Sequence, residues 1–271
     1  MSAPGPRGTD HSVVVIGVHT PEFPFEHDAD NVRRAAGDLN VGYPIALDPD
    51  YAVWRAFANQ YWPAIYLADA EGRIRHHQFG EGEYDACERG IQQLLGEAGV
   101  DGVPDDLVSV AAEGLEAQAD WTNLRSPETY LGYAQGRNFA SRGAEIGTPE
   151  TYAAPEMLML NQWALAGEWT IESGASLLNG AEGRIVFRFH ARDVHLVLGP
   201  PSPGTSVRFR VLLDGSPPGD AHGLDIDADG NGTIAEPRLY QLIRQRGSIA
   251  DRTVEIEVGA AGARAYVFTF G

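Results

Sequence analysis

The residues of this 271-residue chain that could carry out covalent chemistry are few, and the most obvious is its single cysteine, Cys87. One cysteine excludes an internal disulfide and a multi-cysteine metal site. Cys87 lies in "YDACERGIQQLLGEAG", on the face that Ile91, Leu94 and Leu95 share at helical spacing. A free cysteine on such a face usually behaves as a small buried hydrophobe. Since neither G-x-S-x-G nor H-E-x-x-H occurs, we assign no catalytic residue.

The segment "DIDADGNGTIAE" has the composition and spacing of a calcium-binding loop. Gly230 falls at the turn position, and oxygen-bearing side chains fall at the ligand positions of an EF-hand: Asp225, Asp227, Asp229, Asn231, Thr233 and Glu236. No helical pattern precedes the segment, however, and Pro237 follows it directly. An acidic hairpin loop, in which Asp and Gly form the turn, is the simpler interpretation. Calcium therefore stays open as the one possible cofactor.

Charge and hydropathy narrow the range of partners. The formal net charge of −18 disfavours nucleic acid and anionic membranes. No apolar run approaches the roughly 20 residues of a membrane span, and "MSAPGPRGTDHS" is not a secretion signal. His76 and His77 are adjacent on a predicted strand, so they point to opposite faces and do not form a metal pair. The sequence predicts a soluble, cytoplasmic protein.

The first part of the chain has an α/β pattern. The apolar run "VVVIGVHT" predicts a strand covered on both faces, Val13–Val18. Asp28 or Asp30 can cap a helix that turns Val32, Ala35, Ala36 and Leu39 inward. A second helical pattern, "YAVWRAFANQY", precedes "AIYLAD" and "RIRHHQFG", which flank the turn "AEG" as a hairpin.

The second part, from about Trp163, alternates with period two. The alternating segments are "GRIVFRFHARDVHLVLG", "SVRFRVLLDG", "PRLYQLIRQ", "RTVEIEVG" and "ARAYVFTFG". Short alternating strands separated by turn residues predict an antiparallel, jelly-roll-like β-sandwich. Between the two patterns the periodicity is broken. The sequence therefore predicts an α/β domain at 1–96, a long packed linker at 97–160 and the sandwich at 161–271.

Long segments across nearly the whole chain resemble the DipZ-type thioredoxin-like (redoxin) thiol–disulfide proteins. They are "VVVIGVHTPEFPFE", "YPIALDPDYAVWRAFANQYWPAIYLAD", "GRIRHHQFGEGEY", "SPETYLGY" and "FTFG". The resemblance implies a thioredoxin-like domain followed by a carbohydrate-binding-module-like sandwich. It also implies that Pro63 is the family's cis-proline, which presents backbone to a substrate thiol or peptide; a trans proline opening an edge strand is the alternative.

Strand directions alone bring several loops to the edge beside this proline. If the first strand runs up, "AIYLAD" down and "RIRHHQFG" up, then "HTPEF", "YWP" and "GEGEY" emerge together, where open α/β sheets place ligands. The candidate site residues are His19, Glu22, Trp62, Pro63, Glu81, Glu83 and Tyr84. The alternative is that these are polar loop residues with no shared task.

The resemblance also marks an expected gap. In that family the cysteine pair lies on a strand and helix before the counterpart of "VVVIGV", but only Met1–Ser12 precede Val13. A strand with its crossover helix needs well over a dozen residues, so we expect the first βα unit, with its CxxC, to be missing. The resemblance implies thiol–disulfide oxidoreductase or peroxidase ancestry. Because the unit with the cysteines is missing, we expect little or no redox activity, and the sequence does not decide whether the chain is an enzyme.

Two further expectations follow. Without its central strand, the sheet should close up by pairing Val13–Val18 with Ile65–Ala68, and apolar residues near Val13–Thr20 should make the protein a homo-oligomer. The rival function is ligand or glycan binding through the sandwich, in which Trp163 and Trp169 are either core or platform. The substrate, whether a protein thiol, a disulfide or a small ligand, is not specified by the sequence.

Overall fold

The chain divides into two compact units, Met1–Glu113 and Gly114–Gly271. The structure is a computed structural model that describes residues 13–108, 117–143 and 145–271. The predicted linker at 97–160 does not form a separate body. Most of its described residues belong to the second unit, where two of its segments, Thr129–Tyr130 and Pro149–Tyr152, pair with strands of a large sheet.

The first unit contains seven helices and strands among its described residues. In chain order they are β1 (Gly17–His19), α1 (Ala29–Asp38), β2 (Ile45–Leu47), α2 (Ala52–Ala56), β3 (Ala64–Ala68), β4 (Ile74–Phe79) and α3 (Tyr84–Glu97), with a short 3-10 helix at Pro24–His27. Asp28 caps α1 by accepting the Asp30 amide at 2.9 Å. The predicted hairpin is confirmed, with Ala64 opposite Phe79.

The four strands of this unit form two small sheets, not one. β1 pairs with β2 in parallel, and β3 pairs with β4 antiparallel. The expectation that the first strand would close directly onto Ile65–Ala68 is therefore wrong. The first strand is also shorter than predicted, because β2 offers only three partners and is preceded by Pro44, which has no amide to donate.

Few apolar side chains of the first unit are buried. Among its described residues only Phe23 and Cys87 are buried hydrophobics, at 7% and 6% exposure. Helix α1 buries none of its residues, so its predicted inward face does not reach a core, and its C-cap residue Leu39 is 59% exposed. Val14 and Ile16 are 79% and 63% exposed. The described part of this unit therefore leaves much apolar surface in contact with solvent.

The second unit is built on a ten-stranded sheet. Its strands are β5 (Thr129–Tyr130), β6 (Pro149–Tyr152), β7 (Trp163–Ile171), β8 (Ser176–Phe189), β9 (Asp193–Gly199), β10 (Val207–Leu213), β11 (Asn231–Ile234), β12 (Arg238–Arg244), β13 (Arg252–Val258) and β14 (Arg264–Phe270). The main path runs β11-β10-β13-β8-β14-β9-β12, with β7 beside β8. All of these pairings are antiparallel, as the alternation predicts.

Most buried apolar residues of the second unit form one core cluster against this curled sheet. Phe187 and Phe189 are fully buried, and Trp163 and Trp169 are 2% and 1% exposed. Fully burying such a side chain stabilises the fold by about 1.5–3 kcal/mol. The two tryptophans are thus core residues and offer no platform to a ligand. The finer description as a two-layer jelly-roll sandwich remains a prediction.

No helix in the described ranges is long and apolar enough to span a membrane.

Candidate functional site

The Trp62–Pro63 peptide bond is cis, which confirms the prediction made for this position. Trp62 connects the start of β3 to the end of β1, because its indole Nε1 donates to the carbonyl of Thr20 at 3.1 Å. The Trp62 ring also packs on Trp54, with ring centroids 4.1 Å apart. Two segments that are about forty residues apart in sequence, "HTPEF" and "YWP", therefore meet at one edge.

A buried carboxylate fixes the chain beyond β1. Asp48 is 3% exposed and accepts the Thr20 hydroxyl at 3.1 Å and the amides of Val53 and Trp54 at 3.0 and 2.9 Å. Burial alone would raise the pKa of Asp48, but these hydrogen bonds outweigh it and hold the pKa below its usual value. Asp48 is not among the site residues predicted from the sequence. An aspartate shortly before the helical pattern "YAVWRAFANQY" was the available signal.

The two polar candidates of "HTPEF" bond to the short 3-10 helix that follows. His19 Nε2 lies 3.1 Å from the Glu26 carbonyl oxygen, and the Glu22 amide donates to the Glu26 carboxylate at 2.6 Å. The Phe23 amide donates to the same carboxylate at 3.2 Å. These contacts order the loop backbone and give His19 a structural partner.

The third predicted segment, "GEGEY", lies on the other side of the proline. The Gly80 amide donates to the Pro63 carbonyl at 2.9 Å, which places the end of β4 beside the start of β3. Glu83 caps α3 with a left-handed backbone, φ 51°. The Tyr84 hydroxyl donates to the Glu81 carboxylate. Burial and the Glu81 carboxylate raise the pKa of Tyr84 to about 12, so its phenol stays protonated at neutral pH.

The structure thus connects all three predicted segments through Trp62 and Pro63. The edge at Trp62 and Pro63 consists of backbone groups and one partly exposed aromatic ring, that of Trp62, which is 45% exposed. Whether His19, Glu22, Glu81, Glu83 and Tyr84 share a function stays a prediction.

The only thiol lies on α3 and is poorly suited to attack. Cys87 is buried, and burial, followed by the charge of Glu83, raises the pKa of its thiol above the usual value. A reactive cysteine needs the opposite environment, one that lowers the pKa and exposes the sulfur.

Two carboxylates of the acidic loop Asp225–Glu236 already accept hydrogen bonds from protein groups. Asp225 accepts from Arg238 at 2.6 Å and from the Gln241 amide at 2.7 Å. Asp227 accepts the Asn231 amide at 2.8 Å, a bond that closes a turn, and its pKa is lowered mainly by that bond. Across the described ranges, no group of three or more His, Cys, Asp or Glu side chains is arranged to hold a metal ion.

Comparisons with known proteins agree with the resemblance. The family described as "Thioredoxin like C-terminal domain" matches residues 126–271. Protein DipZ of Mycobacterium bovis and that of Mycobacterium tuberculosis are each 34% identical over 262 residues, 97% of this chain and 34% of theirs. The chain therefore spans about a third of the length of these relatives.

Shorter matches concern the thioredoxin-like part. The thiol-disulfide oxidoreductase YkuV of Bacillus subtilis is 32% identical over 83 residues, 31% of this chain and 56% of that protein. A solution structure of a thioredoxin-like protein in the oxidised form is 32% identical, with a TM-score of 0.29, over 31% of this chain and 56% of that chain. This chain is similar to DipZ along nearly its whole length, and by the match at residues 126–271 it belongs to the thioredoxin-like C-terminal domain family.

Proposed function

We propose that this chain is a non-catalytic member of its family: a thioredoxin-like unit that does not carry out thiol–disulfide exchange by itself. The observation that carries the proposal is the position of Cys87, the one cysteine of the sequence: its side chain is buried on α3, and burial raises the pKa of its thiol.

Thiol–disulfide exchange requires a thiolate that attacks a disulfide sulfur, and a second thiol that resolves the mixed disulfide. A chain with one cysteine cannot resolve a mixed disulfide internally. Cys87 is in addition 6% exposed, so the approach of a substrate disulfide along the S–S axis is blocked. Both halves of the reaction are therefore disfavoured.

We further propose that the thioredoxin-like unit is incomplete between β1 and β3. Three observations support this. The two strands belong to separate sheets, yet Trp62 joins their ends through the Thr20 carbonyl. Helix α3 borders β3 and the segment that leads into β1, since Gly90 lies against Leu67 of β3 while Ile91 and Leu95 line an apolar cavity of about 110 Å³ with Val13 and Val15.

Each of β1 and β3 has one edge that pairs with no other strand of the described residues. A single extended strand over α3 would pair with both of these edges and cover the apolar side chains. An unpaired strand edge presents a row of N–H and C=O groups and therefore favours a partner that pairs with it or covers it. We propose that self-association near Val13–Thr20 covers these side chains. The Trp62–Pro63 edge is then the surface that remains for an extended peptide.

The test of the proposed function is an activity assay of the full chain. We expect no reduction of insulin disulfides and no consumption of peroxide with a thiol reductant, and no difference between the wild type and Cys87→Ser. Turnover above the buffer blank that disappears in Cys87→Ser would overturn the proposal.

A further inference from the structure

Two methionines on the loop between β6 and β7, Met157 and Met159, extend into solvent. Met157 is 82% exposed, the largest value for any large hydrophobic residue that the structure describes, and Met159 is 68% exposed. Leu158, between them, is only 6% exposed. The two methionine side chains therefore contribute little to the core, and their thioether groups are accessible to a ligand.

The burial of Leu158 sets the direction in which both methionines project. Leu158 belongs to a small buried cluster with Ala164 of β7 and Val186 of β8. An exposed, buried, exposed pattern is typical of an extended chain, in which residues i and i+2 project from the same side. At a rise of roughly 3.3 Å per residue, the Cα atoms of Met157 and Met159 are about 7 Å apart. The two thioethers are thus neighbours on one side of the loop.

Hydrogen bonds hold the backbone that carries these side chains. The Met159 amide donates to the Gln162 side-chain oxygen at 2.8 Å, and the Gln162 amide donates to the Met159 carbonyl at 3.0 Å. The Asn161 amide donates to the Arg188 carbonyl of β8 at 2.7 Å, which bonds the segment to the sheet. A ligand that binds both thioethers would therefore order two side chains but no backbone, which lowers the entropic cost of binding.

Two neighbouring thioethers are a ligand set for a soft metal ion. Thioether sulfur is polarisable and uncharged, and it selects Cu(I) over Ca²⁺ and Mg²⁺, which prefer oxygen ligands. A methionine side chain has three rotatable bonds, so both sulfurs can approach one ion from backbone positions about 7 Å apart. The exposed carboxylate of the adjacent Glu156 and the net charge of −18 favour a cation at this surface.

We propose that Met157 and Met159 form a surface site for Cu(I), which binds between their two thioether sulfurs. Thioethers are a different ligand class from His, Cys, Asp and Glu, which form no metal-binding group across the described ranges. The buried thiol of Cys87 belongs to the first unit and takes no part. The inference goes beyond the proposed function, because it assigns a ligand to the second unit and does not depend on redox activity in the first.

The experiment is an anaerobic titration of the full chain with Cu(I), supplied as its acetonitrile complex. Isotope labels on the methionine methyl groups show in NMR spectra which sulfurs bind, and competition with a colorimetric Cu(I) chelator gives the affinity. The variants are Met157→Leu and Met159→Leu, which remove the sulfur at nearly constant volume and apolar character. Cys87→Ser is the control, because it removes the one thiol of the sequence and leaves both thioethers.

We expect saturable binding of one ion per chain, with the methyl resonances of Met157 and Met159 shifting together. Each leucine variant should bind Cu(I) about a hundredfold more weakly, because the remaining thioether then binds without its linked neighbour. Exposed substitutions of this kind leave the melting temperature nearly unchanged, which distinguishes a lost ligand from a lost fold. Binding should be unchanged in Cys87→Ser. No binding at millimolar Cu(I), full affinity in either leucine variant, or loss of binding in Cys87→Ser would each overturn the proposal.

Discussion

Replacing Trp62 by Phe tests whether the candidate edge is held together as the structure indicates. The substitution keeps an aromatic ring to pack on Trp54, whose centroid lies 4.1 Å away. It removes the indole N–H that donates to the Thr20 carbonyl at 3.1 Å. Thr20 is 7% exposed, so its carbonyl loses a donor in a place with little access to water.

The expected cost follows from that one bond. A hydrogen bond contributes about 0.5–1.5 kcal/mol net, and an orphaned buried acceptor costs about 1–3 kcal/mol. Because Trp62 itself is 45% exposed, water can replace part of the lost bond, and we expect a value of about 1 kcal/mol. This corresponds to about fivefold faster opening of the neighbouring backbone.

Native-state amide exchange measures this opening. The informative amides are those of Asp48, which donates to the His19 carbonyl at 2.9 Å, and Gly17, which donates to Pro44 at 2.9 Å. The control is Tyr61→Phe, since Tyr61 is 51% exposed and stacks on Phe79, and its hydroxyl makes no hydrogen bond to any described residue. If the amides of Asp48 and Gly17 exchange no faster in Trp62→Phe than in Tyr61→Phe, the indole hydrogen bond does not stabilise the Trp62–Pro63 edge and the reasoning is wrong.

The remaining predictions concern the thiol, self-association and calcium. Because the folded protein raises the pKa of the Cys87 thiol, the free energy of unfolding should be unaffected below the usual thiol pKa and should decline as the pH rises through the raised value. If the thiol of the native protein is alkylated as fast as that of the unfolded chain at every pH, this prediction is wrong. Light scattering should give a mass above 29.2 kDa that falls to the monomer in Val14→Ser/Ile16→Ser, whereas a monomeric wild type would refute association through this segment. Millimolar calcium should leave the melting temperature unchanged, because Asp225 and Asp227 already accept hydrogen bonds from protein groups. A saturable rise in melting temperature would instead establish a calcium site in Asp225–Glu236, since a ligand at a hundredfold excess over Kd stabilises the folded state by about 2.7 kcal/mol.

Much of the second unit could be predicted from the sequence. The alternation in segments such as "SVRFRVLLDG" places every second side chain on one face, and β10 buries Val207, Phe209 and Val211 as that pattern requires. The cis bond at Pro63 and the burial of Cys87 were predictable as well, the first from a resemblance spread along the chain and the second from helical spacing.

Only the tertiary structure decided which segments pair. The apolar run before His19 predicts a strand, but nothing local to it specifies β2 as its partner and excludes β3. The Asp48 contacts to Thr20 and α2 were likewise missed, because a carboxylate that orders a distant loop has no periodic signal. The sheet of the second unit shows the same limit: Arg184, Glu257 and Arg210 form a row only through the register of three strands. Alternation fixes the face on which a side chain lies, whereas its neighbours on that face depend on pairing between residues far apart in the chain.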